Sequence, residues 1–224
     1  MSAEPQRSVV GGDEVNPSVR VAILATEHWS LLGSRSTTWA EVMSRISIHL
    51  TVTSAALVVL ALVVQSSGFG RPFRILSIGL AAGVLILGTL TGIRVMNAST
   101  DDAGYLLGMN RIRAAYLKID PGLADHLVTS WNDDQAGLMR TYLMGAHRSL
   151  FSHVAASTAM FMNVTNAIVA GVFGALVANA AGGNAAVTAV LGSVAGLAYF
   201  AGMIMLARRT VQRVPFDSHF PSTP

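Results

Sequence analysis

Cysteine is absent from the chain, and charged residues are scarce. Without cysteine, disulfide bonds and thiolate metal sites are excluded. Only 12% of the 224 residues are Asp, Glu, Lys or Arg, whereas ordinary soluble domains carry about 25%. With 52% hydrophobic residues and a mean hydropathy of +0.52, the composition argues against a water-facing globular domain.

Recognisable catalytic and nucleotide-binding patterns are also missing. The sequence contains no HExxH, P-loop, Rossmann, GxSxG or kinase motif. Its first residues include acids and prolines but no apolar core of a signal peptide, so we expect no cleavable leader. The net charge of +3 is modest, and the cations lie beside apolar segments, which argues against a nucleic-acid partner. We expect no cofactor.

The sequence contains four long apolar stretches. Crossing about 30 Å of hydrocarbon takes about 20 apolar residues in a helix. The stretches are Ile46–Gln65, Ile75–Ile93, about Val154–Ala178, and Val187–Ala207, and none of them contains Asp, Glu, Lys or Arg. The sequence therefore predicts an all-α, polytopic membrane protein with four transmembrane helices.

The connectors predict how these spans are arranged. Short links join the first span to the second and the third to the fourth, so we expect two antiparallel transmembrane hairpins, over residues 46–93 and 154–207. All cations except Arg71 and Arg74 fall outside these hairpins. By the positive-inside rule, both termini and the region between the hairpins are predicted to be cytoplasmic, which places the protein in the cytoplasmic membrane.

The cytoplasmic parts are expected to be mostly helical. Residues 1–21 are predicted to be a disordered tail, residues 94–153 a helical region and residues 208–224 a second tail. Asp101–Asp102 either cap a helix or lie in the middle of one that continues from the second span. Asp133–Asp134 are predicted to open a further helix, and Pro121 to end the one before it.

Residues 22–45 form an amphipathic approach to the first span. At 100° per residue, Trp29 and Trp39 share one apolar arc, whereas Glu41 and Arg45 lie on the opposite side at a favourable i,i+4 spacing. The tryptophans are predicted to anchor this cytoplasmic or interfacial helix at the membrane–water boundary. Thr38 could start a separate helix after a break at "GSRSTT", or the helix could be continuous.

Polar residues inside the apolar stretches are the candidate functional groups. His49 is an ionisable group within the first span, and Asn163, Thr165 and Asn166 lie within the third. They are predicted to line or gate a polar route, although interhelical hydrogen bonding would also explain them. His153, before the third span, resembles His49 in position. Glu27–His28 could form a polar site with other acids or histidines, but their spacing matches no metal-ligand pattern, so we expect no catalytic or metal site.

Glycines recur four residues apart in the second and fourth spans. Without a Cβ atom, such pairs let helices approach closely, which predicts tight packing within the chain or between copies of it. The pairs are Gly79 with Gly83, Gly88 with Gly92, and Gly192 with Gly196.

The segments "LATEHWSLLGSRSTTWAEVMSRISIHL" and "LLGMNRIRAAYL", with the four-span layout, resemble uncharacterised four-helix integral membrane proteins of actinobacteria. More remotely, a two-span hairpin flanked by cytoplasmic helices is similar to the SLATT class of membrane effectors, from which this chain departs by having a second hairpin. The resemblance implies a fold, a location and, by analogy with that class, a pore.

We therefore expect a homo-oligomeric, pore- or channel-like effector whose only assured partner is the lipid bilayer. The alternative is a non-conducting scaffold or accessory subunit whose cytoplasmic helices dock a protein partner. A membrane-embedded enzyme is the least favoured hypothesis.

Overall fold

The computed structural model describes residues 16–144, 155–212 and 217–222, and this part of the chain contains helices and no strands. The α-helices are α1 (Pro17–Ser67), α2 (Arg71–Ile119), α3 (Gln135–Leu143), α4 (Thr158–Ala180) and α5 (Ala185–Gln212), with a 3-10 helix at Pro121–His126. The predictions for residues 1–15, for 145–154 with His153, and for the tail at 213–216 and 223–224 lie outside the described residues.

Four of these helices, α1, α2, α4 and α5, are long and apolar enough to cross a membrane. This confirms the prediction of an all-helical chain with four apolar helices of spanning length. Two of the four are much longer than a bilayer requires, since α1 has 51 residues and α2 has 49.

Helix α1 begins at Pro17, where the Asn16 side chain accepts a hydrogen bond from the Ser18 N–H. It then continues without a break through "GSRSTT" to Ser67. The polar side chains of that stretch do not interrupt it, because a hydroxyl such as that of Thr37 bonds back to a carbonyl of the preceding turn. Of the two interpretations of this stretch, the structure has the continuous helix.

Helix α2 likewise runs past its apolar segment, so Asp101–Asp102 lie in the middle of a helix and do not cap one. It ends at Ile119, before Pro121, as predicted. The prediction for the second acidic pair is also confirmed: Asp134 caps α3 by accepting a hydrogen bond from the Gly137 N–H. We call residues 17–45 of α1 and 94–119 of α2 the polar extensions; at 1.5 Å per residue each is roughly 40 Å long.

Helices α1 and α2 contact each other over much of their length, in opposite chain directions. His49 lies close to Gly88, and Arg35 meets Asp102 farther from the connection between the two helices. The hydrophobic core between these contacts joins three helices through a cluster of buried side chains. Its members are Val42 and Ile46 of α1, Val95 and Ala98 of α2, and Met162 of α4.

A second cluster joins α2 to α3. Leu106 and Met109 of α2 are buried together with Leu138 of α3, and Leu31 of α1 packs against them. The polar extensions therefore contribute to two hydrophobic clusters, of which the first also includes Ile46 and Met162 of the apolar segments.

Candidate functional site

Three helices meet at a buried polar site that we call the polar junction, formed by His49 of α1, Gly88 of α2 and Asn166 of α4. His49 is 2% exposed and Asn166 is 1% exposed. Both lie within long apolar helices. The sequence singled out each of these residues, but it did not indicate that they come together.

Gly88 permits this meeting because it has no side chain. A Cβ atom at this position would lie 2.0 Å from Asn166 Oδ1 and 2.8 Å from His49 Cε1. Both distances are far below a van der Waals contact of about 3.5–4.0 Å. Any larger residue at position 88 would displace the histidine, the amide or both, so the glycine determines how closely α1 and α4 approach across α2.

The polar atoms of the junction have few partners. Among the described residues, neither ring nitrogen of His49 and neither amide atom of Asn166 has a hydrogen-bond partner. Leaving a buried donor or acceptor unsatisfied costs about 1–3 kcal/mol for each group. Imidazole and amide groups both donate and accept hydrogen bonds, so the junction is chemically suited to hold water or to pass a proton.

Asn163 and Thr165 lie beside the junction on α4. Asn163 is buried and donates from Nδ2 to the Phe200 carbonyl of α5 at 3.4 Å, while its Oδ1 has no partner among the described residues. Thr165 is half-buried. The structure thus brings Asn166 to His49, whereas Asn163 is directed to α5. A further polar contact that the sequence did not indicate joins α2 to α5, between the hydroxyls of Thr89 and Tyr199 at 3.0 Å.

The predicted glycine pairs differ in how closely other helices approach them. A Cβ at Gly192 would lie 2.9 Å from the Gly171 carbonyl oxygen, and one at Gly196 would lie 2.9 Å from that of Ala167, so these glycines allow α4 and α5 to pack backbone to backbone. Gly92 makes ordinary contacts near Asn166. A Cβ at Gly79 or Gly83 would meet nothing within 4 Å in the described chain.

A second polar site links the polar extensions around the buried carboxylate of Asp102. It accepts hydrogen bonds from Arg35 Nε at 2.6 Å, from Trp39 Nε1 at 2.8 Å and from the Tyr142 hydroxyl at 2.8 Å. Burial, together with the charge of Asp102, raises the pKa of Tyr142, which therefore stays protonated as a donor. These contacts join α1, α2 and α3, and Trp39 is half-buried among them.

The Glu27–His28 pair lies far from the polar junction. His28 stacks on Tyr116 of α2 with ring centroids 6.3 Å apart, and burial, helped by Arg113, lowers its pKa. Glu27 is exposed, and Trp29 is 73% exposed. Within the described part of the chain, no group of three or more His, Cys, Asp or Glu residues could hold a metal ion.

Comparison with known proteins gives no relative whose function could be transferred to this chain. No protein-family model matches the chain, and neither the curated proteins nor the solved structures contain a match. The function must therefore be inferred from the geometry of the sites.

Proposed function

We propose that this chain is a multi-pass protein of the bacterial cytoplasmic membrane that acts as an oligomeric, pore-like or effector protein, with the polar junction as its gate. The observation that carries this proposal is the near-complete burial of His49 and Asn166 between apolar helices, with polar atoms that have no partner among the described residues. An ionisable or amide side chain is costly in a bilayer, and where it occurs it commonly marks an ion or proton route.

The burial of these residues also suggests where the route runs. Side chains that line a pore between subunits would be exposed on the surface of one subunit. His49 and Asn166 are instead enclosed by α1, α2 and α4 of the same chain. We therefore place the route between the helices of one subunit, with oligomerisation as a separate property of the outer helix faces.

The proposed topology follows from the distribution of charge. In our proposal α1 with α2, and α4 with α5, form two transmembrane hairpins, and the polar extensions project into the cytoplasm. Arg71 and Arg74 are the cations at the opposite end of the first hairpin. This arrangement obeys the positive-inside rule and agrees with the resemblance to actinobacterial four-helix membrane proteins.

Proton flux in proteoliposomes tests the proposed gate. The purified chain should dissipate an imposed pH gradient, as reported by an entrapped pH-sensitive dye, and His49→Leu or Asn166→Leu should change the rate at least tenfold. Thr51→Leu is the matched control, because Thr51 lies two residues from His49 on α1 and is exposed. A flux equal to that of empty liposomes, or one that both junction variants leave unaltered, would contradict the gating role.

The alternative role as a scaffold is favoured by the polar extensions. They reach roughly 40 Å beyond the apolar segments and present exposed apolar side chains, including Trp29 and Leu32. A protein partner could dock there while the spans serve only as an anchor. Photo-crosslinking from position 32 in native membranes would support this role by trapping one defined second protein, and self-crosslinks alone would contradict it.

A further inference from the structure

The C-terminal segment Asp217–Ser222 lies against the polar extension of α2 and the loop before α3. We call the surface that receives it the Asp133 surface. It consists of Arg111, Lys118, Asn132, Asp133 and Asp134, which contact the segment through side chains or backbone. Neither the four-span layout nor the polar junction accounts for these contacts.

Asp133 is the centre of this surface. Its side chain is completely buried and is paired with Arg111 Nε at 2.5 Å. One carboxylate oxygen accepts hydrogen bonds from the Ser218 hydroxyl at 2.8 Å and the Phe220 N–H at 2.7 Å, and the other accepts one from the His219 N–H at 3.0 Å. A buried carboxylate with this many donors is strongly directional, so it orients the segment as well as attracting it.

The neighbouring residues extend the recognition along the segment. Asp134 accepts hydrogen bonds from both the N–H and the hydroxyl of Ser222, at 2.6 and 2.5 Å. The Asn132 amide donates to the carbonyls of Phe220 and Pro221. In addition, the Lys118 ammonium lies 4.4 Å from the centroid of the Phe220 ring.

These contacts discriminate between peptide sequences. The surface binds two hydroxyl groups four residues apart and a ring between them, as well as the extended backbone that carries them. Because most of these contacts are hydrogen bonds that replace hydrogen bonds to water, we expect a free hexapeptide to bind weakly. Residues 213–216 connect the segment to α5, and a short tether of this kind provides an effective concentration in the millimolar range.

We propose that the Asp133 surface is a peptide-recognition site, that the chain's own C-terminal segment occupies it as a releasable latch, and that it accepts a peptide of the same chemistry in trans. The latch connects the end of α5 to the polar extension of α2. It lies outside the polar junction, so its failure and the failure of the proposed gate are separate results.

A distance measurement on the full-length chain tests the latch. Since the native chain has no cysteine, the substitutions His219→Cys and Val128→Cys introduce one label on the segment and one in the loop before α3. Val128 and His219 are both exposed, and the contacts of residue 219 with Asp133 pass mainly through its backbone. We expect a single narrow distribution of label distances in lipid nanodiscs by pulsed electron paramagnetic resonance.

The variants then separate recognition from chance contact. Adding Ser218→Ala and Ser222→Ala, which leave the surface itself intact, should broaden the distribution in most molecules. Asp125→Asn, which neutralises an exposed carboxylate elsewhere on the chain, should leave it narrow. Millimolar free peptide with the sequence Asp-Ser-His-Phe-Pro-Ser should also broaden it, whereas the same peptide with alanine in place of both serines should have no effect.

Three results would overturn the proposal. The first is a broad distribution in the chain that carries only the labels, since the segment would then not be latched. The second is a narrow distribution that persists without the two hydroxyls. The third is equal release by both peptides, which would mean that the surface does not recognise the hydroxyl groups.

Discussion

The substitution Gly88→Ala is the most direct test of the polar junction. It adds one methyl group to α2 at the point where His49 and Asn166 both come close to the helix. That methyl group would lie 2.0 Å from Asn166 Oδ1, 2.8 Å from Asn166 Cγ and 2.8 Å from His49 Cε1. The backbone at Gly88 is an ordinary helix, so the variant differs from the parent chain in its contacts and in helix propensity.

The size of the effect follows from comparing it with Gly83→Ala. Both glycines lie on α2, and a Cβ at Gly83 would meet nothing within 4 Å in the part of the chain that the structure describes. The gain in helix propensity, about 1 kcal/mol for glycine to alanine, is shared by the two variants and cancels in their difference. Adding a methylene to a filled core costs about 1–3 kcal/mol. Because two neighbours obstruct the new methyl group, we expect Gly88→Ala to be less stable than Gly83→Ala by about 2–3 kcal/mol.

Equilibrium unfolding of the two variants in mixed detergent–lipid micelles, followed by circular dichroism, measures this difference. The unfolding slope must be equal for the two variants, so that the midpoints report stability alone. Equal midpoints would refute the close approach of α1 and α4 across Gly88. A lower midpoint for Gly83→Ala than for Gly88→Ala would show instead that the open face of α2 is packed against another copy of the chain.

Three further outcomes follow from the polar extensions and the latch. Asp102→Ala removes the shared hydrogen-bond acceptor of Arg35, Trp39 and Tyr142. We expect it to lower the free energy of unfolding by about 2–4 kcal/mol in the same assay, which is less than the roughly 3–5 kcal/mol of a fully buried pair because Arg35 is partly exposed. A decrease of under about 1 kcal/mol would contradict this hydrogen-bond network. Burial alone would raise the pKa of Asp133, but Arg111 and the hydrogen bonds from the C-terminal segment lower it far below its usual range. The contribution of Asp133 to stability is therefore complete above the unfolded pKa of about 3.9 and is lost as the pH falls through the lower pKa of the folded chain. The distribution of label distances should accordingly stay narrow from about pH 8 to 5 and broaden only in stronger acid. Release of the segment already at about pH 6 would contradict this expectation. Trp29 lies about 25 Å along the continuous helix α1 from Ile46, which favours a position in the cytoplasm over the membrane–water boundary predicted from the sequence. The fluorescence of a chain in which Trp29 is the single tryptophan should therefore be quenched by aqueous acrylamide and not by brominated lipid. Strong quenching by lipid would instead place this part of α1 on the bilayer surface.

The sequence was sufficient to predict the apolar helices because their signal is local. Each stretch is apolar over the length needed to cross a bilayer, and this can be seen without knowing which helices pack against it. The C-terminal end of α2 and the cap of α3 were also predictable, since Pro121 and Asp134 act on the residues next to them. In the same way, His49 and Asn166 could be identified individually, because a polar side chain in an apolar run is visible in the sequence.

The contacts between these residues were not predictable, because they depend on how separate helices pack against one another. His49, Gly88 and Asn166 are far apart in the sequence, and only the packing of three helices brings them together. The latch is still less visible, since a short segment with two serines and a proline has no periodicity. The spacing of the two hydroxyl groups acquires meaning only beside Asp133 and Asp134.

One face of α2 is buried in both its apolar segment and its polar extension, and it therefore connects the polar junction to the Asp102 site. Buried residues recur along it at steps of three or four, through the apolar segment at Gly88 and Gly92 and into the polar extension at Val95, Ala98, Asp102 and Leu106. The composition changes sharply at Arg94, but the spacing of the buried face does not. A helix that is packed along one face on both sides of such a boundary resists local bending, since bending would break contacts in both parts. We therefore expect a partner or latch that displaces the polar extension to alter the packing at Gly88 as well, and disulfide-trapping or label distances across both parts of α2 would measure this.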